Sequence, residues 1–207
     1  MKIVFFGDSI TDAGRNRNLD HDNSAFGNGY VMQVAGRLLE RQPDGYEMYN
    51  RGISGDRVVD LYARIKKDVW NLQPDVLSIF IGVNDVWHEI GGKNGVEQDR
   101  FERVYRTMLD ETLGKVPGVK IMLLAPFVQK GRATEDKFDS FREVFDYANI
   151  VKKIAADYGL PCVDLQAAFD SAAKKYGTET LTHDGVHPTL RGAVLLASEW
   201  LKAFDTL

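Results

Sequence analysis

Position 9 is a serine in FFGDSITDAGR, directly after an apolar run, and near the far end THDGVHP sets Asp184 and His187 three residues apart before a proline. A serine hydroxyl is a poor nucleophile until a base takes its proton, and a histidine does this best when a carboxylate fixes its tautomer. Ser9, His187 and Asp184 therefore supply parts for acyl transfer. That chemistry also needs hydrogen-bond donors for a developing oxyanion, which a glycine N–H and an asparagine amide can provide. NRGISGD offers Gly52 and IGVNDVW offers Asn84. Each fragment alone reads equally well as turn punctuation. Their joint presence is what argues for chemistry.

These residues need elements to bring them together. Short β-rich runs alternate with longer segments of helical period, the pattern of successive βα units around a parallel sheet. The strands predicted are 2–6, 47–50, 75–81, 119–125 and 162–165, several of them apolar throughout, as strands covered on both faces require. Helices are expected over 30–41, 57–72, 98–115 and 138–158, with two last ones over 166–176 and 190–204. The reading is a single α/β domain spanning 1–207, a three-layer α/β/α sandwich. Ligands bind such sheets beyond the carboxyl ends of the strands, which marks the loops 7–29, 51–56, 82–95 and 126–136. Ser9, Gly52 and Asn84 all fall on them.

Composition narrows the partners. The 207 residues are 44% hydrophobic and 27% charged, ordinary globular usage, with a formal net charge of −4. No basic footprint suggests nucleic acid. The single cysteine, Cys162, rules out an internal disulfide and fits a reducing, cytoplasmic setting. No apolar stretch is long enough to span a bilayer, and the run after Met1 is too short for a signal-peptide core. His183 and His187, four apart with an acid between, resemble a metal-binding helix. Gly185 disfavours that helix and Pro188 pushes His187 out of α geometry. No metal and no cofactor is expected.

FGDSITD, NRGISGD, IGVNDVW and DGVHP match, in order and spacing, the four blocks of the SGNH hydrolases, also called GDSL esterases and lipases, over nearly the whole chain. The resemblance implies a flavodoxin-like fold with a five-stranded parallel sheet. It implies Ser9 as nucleophile and first oxyanion donor, Gly52 and Asn84 as the other donors, and Asp184 and His187 as the rest of a triad. Ile10 and Thr11 follow the serine, so this is not the G-x-S-x-G elbow of α/β-hydrolases.

Within that group, GNGYV, GISGD, APF and DLQAAF look like the intracellular acetylxylan esterases that deacetylate xylo-oligosaccharides. The substrate expected is thus an acetylated saccharide. Candidate contacts are Asp8, Trp87, Phe127 and His183. Trp87 and Phe127 stand where an aromatic face can stack on a sugar ring, or else they belong to the core. His183 occupies a position where such proteins often carry tryptophan. The alternatives are a broad short-chain esterase, a lysophospholipase or thioesterase, and a non-catalytic carbohydrate-binding protein. Relatives of this kind can form homo-oligomers, but no sequence feature fixes a number.

Overall fold

The computed structural model describes all 207 residues. In chain order the elements are β1 (Lys2–Gly7), α1 (Ser9–Asp12), α2 (Tyr30–Arg41), β2 (Glu47–Gly52), α3 (Val58–Asp68), β3 (Val76–Phe80), α4 (Val83–Gly92), α5 (Gln98–Lys115), β4 (Lys120–Ala125), α6 (Phe138–Phe141), α7 (Val144–Tyr158), β5 (Cys162–Asp164), α8 (Leu165–Tyr176) and α9 (Leu190–Phe204). The five strands form one sheet in the order β2-β1-β3-β4-β5, and every pairing is parallel. The predicted three-layer α/β/α architecture is therefore present. The chain runs from β1 outward to β2 and then returns past β1 to β3, so the order reverses between β1 and β3. A crevice opens at the carboxyl ends of strands at such a reversal. Ser9 follows β1 and Asn84 follows β3, one on each side of it.

Parallel strands need helical crossovers, and these cover both faces of the sheet. Helix α9 packs against both α2 and α8, and α5 against both α3 and α7. The alternation of side chains along β1 shows how the layers join. Phe5 points to one side, where its ring lies 5.2 Å from Trp200 of α9 and 6.0 Å from Tyr30 of α2. Phe6 points to the other, beneath the Arg64 guanidinium of α3 at 4.5 Å. Trp200 is fully buried, and its indole N–H donates to Ser78 Oγ in β3 at 2.8 Å, so its one polar atom is satisfied. No helix is long and apolar enough to cross a membrane.

Four expectations need correction, the first being that the stretch 7–29, read as a loop, holds the short helix α1. The stretch 82–95, read as a loop, contains α4, whose Val83, Val86, Trp87 and Ile90 recur at helical spacing and pack inward. The helix expected over 138–158 is two helices, α6 and α7, separated at Arg142–Glu143. The helix expected over 57–72 ends at Asp68, and a 3₁₀ turn at Trp70–Leu72 follows. The strand boundaries differ by one or two residues, within the usual fraying of ends.

Candidate active site

The chain leaves β1 at Gly7 and turns at once into α1. Asp8 makes this turn possible by accepting the N–H of Ile10 on Oδ1 at 3.0 Å, an N-cap bond. Ser9 becomes the first residue of the helix, half-exposed, with an N–H that has no intrahelical partner. Its Oγ lies 2.9 Å from His187 Nε2, a contact between residues 178 apart in sequence.

His187 comes from the segment between α8 and α9, which is closed by a bridge between Thr182 and Pro188 and by the His183 N–H donating to the His187 carbonyl at 2.8 Å. The segment is a turn, so the helix that a His183–His187 metal pair would need is absent. Asp184 fastens the turn from within. Its Oδ1 accepts the N–H groups of Val186 at 3.0 Å and His187 at 2.8 Å, and its Oδ2 lies 2.8 Å from His187 Nδ1. Burial works to raise the Asp184 carboxyl, but the hydrogen bonds from the His187 ring and from these amides win and hold it well below the usual carboxylate range. The same Asp184 bond raises His187 above the ordinary histidine value, against a smaller opposing effect of burial. With Nδ1–H directed at the carboxylate, Nε2 is free to accept the Ser9 proton.

Of the expected oxyanion donors, Gly52 requires correction. Its N–H donates to Asn50 Oδ1 at 2.9 Å and is not available to a substrate. Glycine is required there for another reason: a Cβ would lie 2.1 Å from the backbone N of Asp12. The unpaired donor in this loop is Gly55, three residues on. It sits at φ +91°, a conformation that favours glycine, with open space around its Cβ position, and its N–H makes no hydrogen bond within the protein. The signal for it lay in NRGISGD, which contains both glycines, and only the burial of the first separates them. Asn84, at the start of α4, spends one amide hydrogen on the Asp56 carbonyl at 3.0 Å, which leaves the other free and ties the amide to the residue that follows Gly55.

The candidate substrate contacts divide. Trp87 is half-buried, with its ring 5.9 Å from that of His187 and edge-on to Phe141 at 5.5 Å. His183 is exposed beside Asp184. Phe127 is 0% exposed and stacked on Phe169 at 4.1 Å, so it is core and cannot meet a sugar. Asp8 is 1% exposed and committed to its capping bond, so it too lies out of a ligand's reach. Burial raises its carboxyl to about 7.

Residues 5–195 match the GDSL-like lipase/acylhydrolase family. The chain belongs to it. This GDSL-family protein is 38% identical to an acetylxylan esterase of Geobacillus stearothermophilus, over 97% of this chain and 92% of that one. Its fold superposes on the crystal structure of that organism's Axe2, an acetylxylan esterase, with a TM-score of 0.87 at 38% identity, covering 98% of this chain and 93% of the other. It superposes on a Parabacteroides merdae protein described as a GDSL-like lipase with a TM-score of 0.94 at 38% identity, covering 100% and 96%. The chain is thus a GDSL-family carboxylic ester hydrolase.

Proposed function

We propose that this hydrolase removes acetyl groups from xylo-oligosaccharides, with Ser9 as nucleophile, His187 as base and Asp184 as its orienting partner. The observation that carries the reading is the hydrogen-bonded chain Ser9–His187–Asp184, together with the unpaired N–H groups of Ser9 and Gly55 and the second amide hydrogen of Asn84. Ser9 Oγ attacks the acetyl carbonyl as its proton passes to His187 Nε2. The carbonyl π pair becomes an oxyanion facing the N–H groups of Ser9 and Gly55 and the amide of Asn84. Collapse breaks the bond to the sugar oxygen, which takes the proton from His187, and the acetyl group stays on Ser9. Water, deprotonated by the same histidine, then attacks the acetyl-enzyme; the bond from the acyl carbon to Ser9 Oγ breaks, Ser9 takes the proton back from His187, and acetate leaves.

The sugar assignment is supported by the acetylxylan esterases among the relatives and by Trp87, an amphipathic ring beside His187 able to stack on a pyranose face. Binding energy drawn from the sugar can orient the ester. Acetylated xylo-oligosaccharides should therefore exceed p-nitrophenyl acetate in kcat/KM relative to each ester's intrinsic reactivity. Trp87→Ala should erode that advantage while sparing the small ester. A panel of acetylated xylosides against p-nitrophenyl esters of rising chain length makes the test. Faster turnover of octanoyl than acetyl esters, or no gain from the sugar, would replace this reading with a broad esterase.

A further inference from the structure

We propose that Asp12 is a positioning residue for the oxyanion, acting through Ser54 to hold the Gly55 N–H in place relative to Ser9. The inference rests on the assignment of Ser9 given above.

Asp12 ends α1, three residues after Ser9, and is nearly sealed from solvent. A carboxylate in that position is costly unless its lone pairs are filled. Here they are: Oδ1 accepts the Arg15 N–H at 3.1 Å, and Oδ2 accepts the Ser54 N–H at 3.0 Å, the Ser54 hydroxyl at 3.1 Å and the Arg17 guanidinium. The bonds to Arg15 and Arg17 are local. The pair to Ser54 crosses 42 residues of sequence and ties the helix that carries the nucleophile to the loop after β2. Arg15 strengthens the tie by donating from Nε to the Gly52 carbonyl at 2.9 Å.

Gly55 follows Ser54 directly, and its other neighbour is held as firmly. The Asp56 side chain pairs with Arg64 at 2.7 Å, its carbonyl accepts from Asn84, and Arg64 also donates to the Gly7 carbonyl at 3.1 Å. The free N–H is thus fixed on both flanks, with Asp12 supplying the clamp on the amino side. Asp12 itself touches no reacting atom. Its effect is geometric, and displacement of a group by about 1 Å can cost on the order of 10² in rate.

Asp12→Ala and Asp12→Asn are compared with the unaltered enzyme on p-nitrophenyl acetate, with phenylboronic acid as a second probe, since its tetrahedral serine adduct places an oxygen where the oxyanion forms. Asp12→Ala should lower kcat roughly 10- to 100-fold with KM changed by less than about twofold, and boronate affinity should fall in parallel. Asp12→Asn keeps one acceptor for Ser54 and should lose less. A folded Asp12→Ala with normal kcat overturns the proposal, as does a loss of kcat that leaves boronate affinity unchanged. If Asp12→Ala does not fold, Asp12→Asn carries both readouts with the same opposing results. Activity retained by Ser9→Ala would defeat the nucleophile assignment itself, whereas normal kcat in Asp12→Ala beside an inactive Ser9→Ala defeats only the clamp.

Discussion

His187 stands between a hydroxyl it must deprotonate and a carboxylate that wants it charged. Its hydrogen bond to Asp184 raises its pKa, and the charge of buried Asp8 acts in the same direction. Only the neutral ring can act as base, so activity is present above the folded-state value and lost as pH falls through it. The acid limb of the kcat/KM profile should therefore lie above the ordinary histidine value. Asp184→Asn should move the limb downward and lower kcat by about 10⁴, as loss of the carboxylate does in other triads. A limb that stays in place would show that Asp184 does not set the histidine's charge. At this scale the sequence was informative where chemistry is local: Asp184 and His187 meet within one turn, and their spacing says so. It was silent on burial, which no residue type encodes. Asp8 was misread as a ligand contact for that reason, Phe127 stayed open between sugar contact and core until its burial was seen, and Gly52 was taken for a donor although its N–H is paired within the loop.

Gly52 belongs to β2 in a structural capacity, since it lets α1 pack against the strand end. A methyl group there would press on the Asp12 backbone, which cannot yield as a flexible side chain does. Gly52→Ala should cost about 1–3 kcal/mol, the usual range for overpacking, and should reduce activity because Ser9 moves with α1. Thermal melts and kcat measured together would check this. A Gly52→Ala variant with unchanged melting temperature and unchanged kcat would contradict this packing role. The elements themselves were readable wherever an apolar run or a helical stripe was long. Helix α4 was overlooked because Gly82, Asn84, Asp85 and the later glycines look like loop composition, although its apolar residues keep helical spacing. The interruption between α6 and α7 has no Gly or Pro to announce it. The parallel sheet could be inferred from alternation, but its order depends on long-range pairing that no local pattern carries.

Of the three carboxyls buried near the site, Asp12 has its lone pairs filled by hydrogen bonds, whereas burial dominates in Asp8 and Asp85. Burial raises Asp8 to about 7 and Asp85 to about 8, though Asp85 accepts the Val58 N–H at 3.0 Å. The folded state thus holds protons that the unfolded chain has already released above the ordinary aspartate value. The stability from these groups is full at low pH and is lost as pH rises through about 7 to 8. Asp85→Asn should gain melting temperature relative to the unaltered protein on going from about pH 5 to about pH 9. A difference that is flat or opposite in sign would contradict the raised value. The whole fold brings residue 9 against residue 187, the pair proposed to act as one catalytic unit. The most direct test is turnover by Ser9→Ala, His187→Ala and the double variant on an acetate ester. Groups that act as a unit are not additive: each single change should cost on the order of 10⁶ in kcat and the double variant little more. Substantial activity in Ser9→Ala, or losses in the two single variants that multiply in the double, would contradict the account.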